Sequence, residues 1–271
     1  MQSGVKKVYL LDYGWLAGEM GWFMPNPGVY PERDEAKVTE WVEIPVSGAL
    51  IEHENGLLVV DTGSHPDAKN VWPELLWAVF PMARFTDDNR LEHQISLAGY
   101  KPQDVTHLLF THLHLDHTGQ APVLRNDNTT IVAHKDELTN ALYLTWIGKP
   151  GAYVPADLEA LKGANWFTFS GEEFEVLPGV KMIWGGGHTP GSCLVQITTK
   201  KGNSYILTGD IVHLAAELEA EAKGWLLADA VEYNAVIKKI KMMARHPNTQ
   251  VVLGHEPKLW EQFPKAPDYL E

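Results

Sequence analysis

The chain reads as an α/β protein, more narrowly an αββα sandwich in which two mixed β-sheets pack together between outer helices. Three observations lead there. Apolar runs of strand length recur along the chain, helical periodicity appears between them, and the mixture repeats in a second half. Of 271 residues, 45% are hydrophobic and 21% charged, which suits a globular protein with a substantial core.

Strands are expected at 7–11, 46–52, 56–60, 106–110, 130–133, 175–177, 180–184, 193–198, 204–207 and 250–253, where Val, Ile, Leu and aromatic residues concentrate. Helices are expected at 71–80, 89–98, 135–146, 156–162 and 230–245, from apolar residues spaced three and four apart. The chain contains no repeat, low-complexity tract or Ser/Gly linker, so 1–271 is read as one domain. Residues 12–45 and 63–90 resist placement: Trp15, Trp22, Phe23, Met24, Tyr30 and Trp41 crowd the first stretch, yet Pro25, Pro27 and Pro31 interrupt it. Most of these aromatics are expected in core or lid packing and the rest along a substrate groove.

Lys and Arg number 22 against 35 for Asp and Glu, a formal charge of −13, which argues against affinity for nucleic acid or an anionic membrane. The single Cys193 excludes an intramolecular disulfide and a thiolate cage, leaving metal ligation to His, Asp and Glu. No apolar run has signal-peptide or membrane-spanning length, so a cytoplasmic location is the default expectation.

The stretch FTHLHLDHTG, residues 110–119, carries three histidines and an aspartate within six positions. Such a cluster is costly to desolvate unless something compensates it, and a metal is the usual compensation; a polar loop with chance histidines is the bland alternative. On extended backbone His112 and His114 project to one side and can share an ion, while Asp116 and His117 break the two-residue period and aim at a neighbouring point, as a second ion would require. Four further apolar runs end near a ligand-type side chain: Val60 before Asp61, Trp184 before Gly185-Gly186-Gly187-His188, Leu207 before Thr208-Gly209-Asp210, and Leu253 before Gly254-His255. Strands of this kind deliver their last residues to a common rim. Asp61 is read as an outer partner of a ligating histidine rather than a ligand, with simple capping of backbone amides as the alternative. Thr189-Pro190-Gly191-Ser192 has Pro and Gly where a type II turn wants them, which would hold His188 still.

Through His112, His114, Asp116, His117, His188, Asp210 and His255 the chain resembles the metallo-β-lactamase superfamily, over about residues 46 to 256. The resemblance implies an αββα fold and a dinuclear site: His112, His114 and His188 on one metal, Asp116, His117 and His255 on the other, and Asp210 bridging. Zinc is the default ion, although iron, manganese or cobalt would fit the same residues. Two divalent ions bring four positive charges, Asp116 and Asp210 offset two and a bridging hydroxide one, leaving a positive charge to stabilise an oxyanion. The implied chemistry is hydrolysis by that hydroxide, with Asp116 and His213 as candidate catalytic residues.

Membership does not choose the substrate. His117 in place of a basic residue, and the lack of a metal-site Cys, depart from what β-lactam hydrolases of this fold usually show. The acidic balance disfavours an RNA-processing nuclease. The order and spacing of GLLVVDTG, LAGYKPQDVTHLLFTHLHLDHTGQ and FEVLPGVKMIWGGGHTPGSCLVQI are similar to lactonases that open N-acyl homoserine lactones, a quorum-quenching activity. A glyoxalase-II-like thioesterase, or a lactonase for another lactone, is the alternative. A flavodiiron-like redox module or a metal-binding sensor is a further one, though few residues follow His255 to hold a flavin domain. Such lactonases commonly carry a tyrosine three residues after the bridging aspartate, where His213 stands here; His213 is read as a hydrogen-bond or proton donor to substrate, or else as mere packing before the next helix. Trp22, Phe23, Met24 and Trp146 are expected to contact the acyl tail. The expected partner is a small lactone, with exposed N-terminal aromatics suited to a homodimer contact.

Overall fold

The structure, a computed structural model, describes residues 2–25 and 40–271. Tyr30, Pro27 and Pro31, named above, lie outside the described residues. Seven strands form one mixed sheet: β1 (Val5–Glu19), β2 (Trp41–His53), β3 (Gly56–Val60), β4 (Met82–Arg84), β5 (His107–Leu109), β6 (Thr130–His134) and β7 (Trp166–Phe169), in the order β4-β1-β2-β3-β5-β6-β7. Five form a second: β8 (Glu173–Leu177), β9 (Val180–Trp184), β10 (Cys193–Thr198), β11 (Ser204–Leu207) and β12 (Thr249–Val252), in the order β12-β11-β10-β9-β8. The helices are α1 (Ala68–Val71), α2 (Glu74–Val79), α3 (Leu91–Leu97), α4 (Lys135–Trp146), α5 (Pro155–Ala160), α6 (Ala215–Ala220), α7 (Ala230–Ala244) and α8 (Pro257–Gln262). This is the αββα arrangement expected from the sequence.

Residue alternation explains why the sheets stack. The central runs of β1 and β2, Val8 to Leu11 and Ala49 to Ile51, and β3 from Leu57 to Val60 are apolar at consecutive positions, so both faces of each strand must be covered there. Val8, Leu10, Ala49, Ile51, Leu58 and Val60 face the second sheet and share a core with Met182, Val195, Ile197 and Leu207. Their neighbours Tyr9, Leu11, Leu50, Leu57 and Val59 face the opposite way, into a core shared with Leu91 and Ile95 of α3 and Ala141 of α4. The outer face of the second sheet, through Ile183, Leu194 and Ile206, is covered by Tyr233, Val236, Ile237 and Ile240 of α7, which recur at helical spacing.

The departures from expectation have local causes. The helix expected at 71–80 is split between α1 and α2, because Pro73 lacks an amide hydrogen and forces Trp72 into extended backbone at ψ 148°. β1 runs on to Glu19 because its pairing with β2 continues past an irregularity between Asp12 and Trp15. β4, β7, α6 and α8 were not anticipated: the first two are short edge strands without an alternating pattern, and the last two are six-residue helices, too brief for a periodic signal. Trp22 and Phe23 both pack on Phe80, with ring centroids 5.3 and 6.5 Å away. Among the described residues no helix is long and apolar enough to cross a membrane.

Leu108 sits in the middle of β5 with no exposed surface. Leu108→Ala should cost about 2–5 kcal/mol through lost burial and an incompletely closed cavity; equilibrium urea unfolding of the metal-free protein measures this, and an unchanged midpoint would remove β5 from the stabilising core.

Candidate metal centre

The ligand-type side chains converge at the ends of β3, β5, β9, β11 and β12, which deliver Asp61, the 111–117 loop, His188, Asp210 and His255. β3 and β5 are parallel, as are β11 and β12, so their carboxyl ends open on the same rim. The small residues beside the ligands let these loops touch. A Cβ on Gly209 would come within 2.8 Å of Thr111 Oγ1, and one on Gly254 within 2.4 Å of the Gly209 carbonyl oxygen. His112 and His114 lie beyond the end of β5 rather than on it, yet their rings are 4.6 Å apart and face one point. Asp116 and His117 occupy a turn closed by His117 N–H donating to the His114 carbonyl at 3.1 Å.

Two groups result, His112, His114, His188 and Asp210, and Asp116, His117, Asp210 and His255, with the ligand atoms of each lying within 4.8 Å of one another. Asp210 belongs to both and divides its oxygens between them. Its Oδ2 lies 3.5 Å from His112 Nε2 and 3.5 Å from His188 Nε2, and its Oδ1 lies 3.0 Å from His117 Nε2 and 2.9 Å from His255 Nε2. Asp116 stands 3.5 Å from His117 Nε2 through Oδ1 and 3.4 Å from His255 Nε2 through Oδ2. A tetrahedral ion with bonds of about 2.1 Å holds its ligand atoms about 3.4 Å apart, so these spacings suit two divalent ions bridged by Asp210. His112 Nε2 and His117 Nε2 are moreover buried without a hydrogen-bond partner, lone pairs that a cation would satisfy.

Outer contacts orient the ligands. The carbonyls of Leu226 and Pro45 can only accept, so His188 and His255 donate to them from Nδ1, at 2.9 and 2.7 Å, and turn Nε2 inward. Asp61 accepts from His117 Nδ1 at 2.8 Å, from the Thr111 amide at 2.9 Å and from the Thr111 hydroxyl at 2.7 Å; the same hydroxyl lies 3.2 Å from His112 Nδ1. One carboxylate therefore orients a histidine of each group, and both readings of Asp61, outer partner and amide cap, hold at once. It does so from backbone at φ 55°, a conformation Asp tolerates better than most residues. Ser192 closes the turn after His188 by donating to the Thr189 carbonyl at 3.2 Å, but Gly191 is absent from the positive-φ glycines, so the turn is not type II. Glycine is needed there for space, since a Cβ would come within 2.1 Å of the Glu137 amide nitrogen.

Burial pushes His114 and His188 well below the ordinary imidazole range, with neighbouring imidazoles reinforcing it. Burial acts the same way on His117 and His255, but there Asp210, Asp116 and, for His117, Asp61 outweigh it and raise both. For Asp210 the upward push of burial is overcome by His255, His117, His112 and His213, which hold its carboxyl well below the usual carboxylate range.

A cleft opens over this centre, walled by Leu16, Phe23, Ile44, Phe80 and Leu226 and floored by His114, Asp116, His188, Asp210, His213 and His255. Of the residues expected to touch substrate, Phe23 and His213 line it. Trp22 lies behind, against Phe80, and Met24 is half-buried without lining the cleft. Trp146 departs from expectation: it is 90% exposed and lines a separate groove with Leu142 and Trp166, because it falls on the outward side of α4. Tyr153, seven residues further on, does reach the centre, its ring packing edge-on to His114 at 4.7 Å.

Sequence reasoning passed over three buried charged residues. Glu137 of α4 accepts from the Leu113 amide at 2.9 Å, the Tyr153 hydroxyl at 3.1 Å and the Thr189 hydroxyl at 2.5 Å, tying the 112–114 loop to the one after His188. Glu217 and Lys223 stand beside His213, 3.0 Å from each other with no exposed side-chain surface. Their only signal in sequence was a Lys and Glu within otherwise unremarked acidic segments.

The sequence profile of the metallo-beta-lactamase superfamily matches residues 41–255, and the chain belongs to that superfamily. It is a hydrolase of that class, carrying two buried His/Asp groups of dinuclear type. The chain is 28% identical to N-acyl homoserine lactonase AttM of Azorhizobium caulinodans over 84% of this chain and 88% of that one, and 24% identical to N-acyl homoserine lactonase AiiB of Agrobacterium fabrum over 97% and 98%. Among solved structures it is similar to a quorum-quenching N-acyl homoserine lactone hydrolase, at 25% identity and a TM-score of 0.80 over 100% of both chains. It also shares the fold, at 23% identity and a TM-score of 0.81 over 98% and 99% of the two chains, with an N-acyl homoserine lactone hydrolase bearing N-hexanoyl-L-homoserine at its catalytic metal centre.

Asp61→Ala should weaken metal binding about 10–100-fold by releasing His117 and Thr111, as read by zinc titration against a competing chelator; an unchanged affinity would reduce Asp61 to a turn residue. Raised imidazoles hold protons that a metal must displace, whereas lowered ones are already neutral. On acidification from neutral pH, the group with His117 and His255 should therefore lose its ion before the group with His114 and His188, giving two steps in metal content measured against pH.

Proposed function

We propose that the protein hydrolyses the lactone ring of N-acyl homoserine lactones, and that the two groups sharing Asp210 hold zinc. The reading is carried by one juxtaposition: the polar centre forms the floor of a cleft whose wall is Leu16, Phe23, Ile44, Phe80 and Leu226. A compact polar ring on an apolar tail matches that division, and about 25 cal/mol for each Å² of buried apolar surface favours the tail against such a wall. The similarity to N-acyl homoserine lactonases along most of the chain supports the same substrate class.

Two divalent ions, when bound, supply polarisation of a carbonyl oxygen and acidification of water. The side chains do the rest. The apolar wall holds the tail and keeps bulk water from the reacting carbonyl. His213 Nε2, buried and without a hydrogen-bond partner, stands 3.2 Å from Asp210 Oδ2 on the cleft floor. In this reading it holds or supplies a proton at the ring oxygen as the acyl–oxygen bond breaks and the oxygen of water joins the carbonyl carbon. The cleft lining contains no Lys or Arg among the described residues, which favours an uncharged lactone over the carboxylate-bearing thioester of a glutathione conjugate.

A pH-drop assay with N-acyl homoserine lactones and S-lactoylglutathione side by side tests the reading. Lactone turnover that is lost on chelation and restored by zinc is the expected result; turnover of the thioester alone would overturn it. Phe23→Ala should lower kcat/KM for long-chain lactones about tenfold more than for short ones, since only long chains reach the lost ring surface. An equal effect on both chain lengths would remove Phe23 from the tail site.

A further inference from the structure

A histidine beside two metal-binding groups that belongs to neither needs an explanation. His213 is 1% exposed, and its Nε2 faces Asp210 Oδ2 and the cleft, yet it is not among the ligand-type atoms gathered in either group. A free imidazole there could turn about its Cβ–Cγ bond. What stops it is at the other nitrogen. Nδ1 lies 2.9 Å from Glu217 Oε1 and 2.7 Å from Lys223 Nζ, opposite charges that close on the same ring edge. Glu217 Oε2 also accepts from the His213 amide at 3.2 Å, fixing the backbone as well as the ring.

The pair is itself firmly seated. Lys223 Nζ donates to Glu217 Oε2 at 3.0 Å, to the Asp210 carbonyl at 2.8 Å and to the Ile211 carbonyl at 3.3 Å. The ammonium thus joins the turn carrying Asp210 to the ring that faces its carboxylate. The Phe23 ring meets His213 edge-on at 5.3 Å and closes the cleft side. Burying two charges to make one ion pair is a poor route to stability, because desolvation offsets much of the attraction. Burying them against a single ring nitrogen is an effective way to remove that ring's freedom.

We propose that Glu217 and Lys223 are positioning residues for His213, holding its ring at Nδ1 so that Nε2 stays turned to Asp210 Oδ2 and the substrate cleft. The kinetic part of this proposal rests on the lactonase reading above; the orientation of the ring does not. The pair acts on His213, so its worth should vanish when His213 is absent.

Three variants form the test: the paired E217Q/K223M, which removes both charges together and leaves neither buried alone, H213F, and the triple combination. In the zinc-loaded protein labelled with 15N at histidine, the His213 ring resonances, identified by their loss in H213F, should shift or broaden in E217Q/K223M while those of His112 and His255 stay in place. With an N-acyl homoserine lactone, E217Q/K223M should lower kcat about tenfold or more at nearly unchanged KM, with zinc content kept at the wild-type level. In the H213F background the same two substitutions should change kcat less than twofold. Unaltered His213 resonances in E217Q/K223M, or an undiminished loss of kcat in the H213F background, would overturn the proposal. Should the wild-type protein open no lactone, the lactonase reading falls, and the ring spectra alone decide the role of the pair.

Discussion

The carboxylate of Asp210 is the point on which the site turns. It is nearly inaccessible to water, a placement that would ordinarily favour its neutral form, yet five imidazoles lie within 3.5 Å of its two oxygens. Oδ2 faces His112, His188 and His213, and Oδ1 faces His117 and His255, so one side chain defines both halves of the centre. The loops bearing these histidines come from both sheets, and Asp210 can serve them all only if the sheets stack in one register. The core between the sheets, from Val8 and Leu58 on one to Val195 and Leu207 on the other, is thereby a condition of the chemistry.

Around that carboxylate the protein places rigid outer contacts, each joining two parts of the chain. Asp61 reaches across to Thr111 and His117, Glu137 joins Leu113 to Thr189, and Lys223 joins the Asp210 turn to Glu217 and His213. Each is an ionisable group out of water with its hydrogen-bonding capacity largely met, the condition under which burial of charge is tolerable. Their common effect is orientation. Imidazoles held by carbonyls or carboxylates at Nδ1 present Nε2 inward before any ion arrives, which limits the reorganisation that binding requires.

The apolar wall of the cleft follows from the same economy of parts. Leu16 and Phe23 come from the end of β1 and the turn after it, Ile44 from β2, and Phe80 from the end of α2, so the wall of the cleft uses chain that also covers the first sheet. That dual use explains why the N-terminal aromatics were hard to place from sequence. Core packing and substrate contact both ask for large apolar side chains, and composition does not separate them.

The metal-binding groups were legible because their ligands are local in sequence or follow a strand directly. His112, His114, Asp116 and His117 fall within six residues, and His188, Asp210 and His255 each come after an apolar run with a glycine beside them. The runs of consecutive apolar residues in β1, β2 and β3 likewise determined the two-sheet architecture, since strands apolar on both faces must be covered on both. What periodicity leaves open is which way a helix faces and which distant side chains meet. Trp146 carries the same apolar signal whether α4 turns it to the site or to solvent, and packing turned it outward. The partition of Asp210's oxygens, the clamp at Glu137 and the hold of Glu217 and Lys223 on His213 were decided only in three dimensions. Each depends on distances of a few ångströms between segments that only the stacking of the sheets brings together, and no spacing along the chain encodes such a distance.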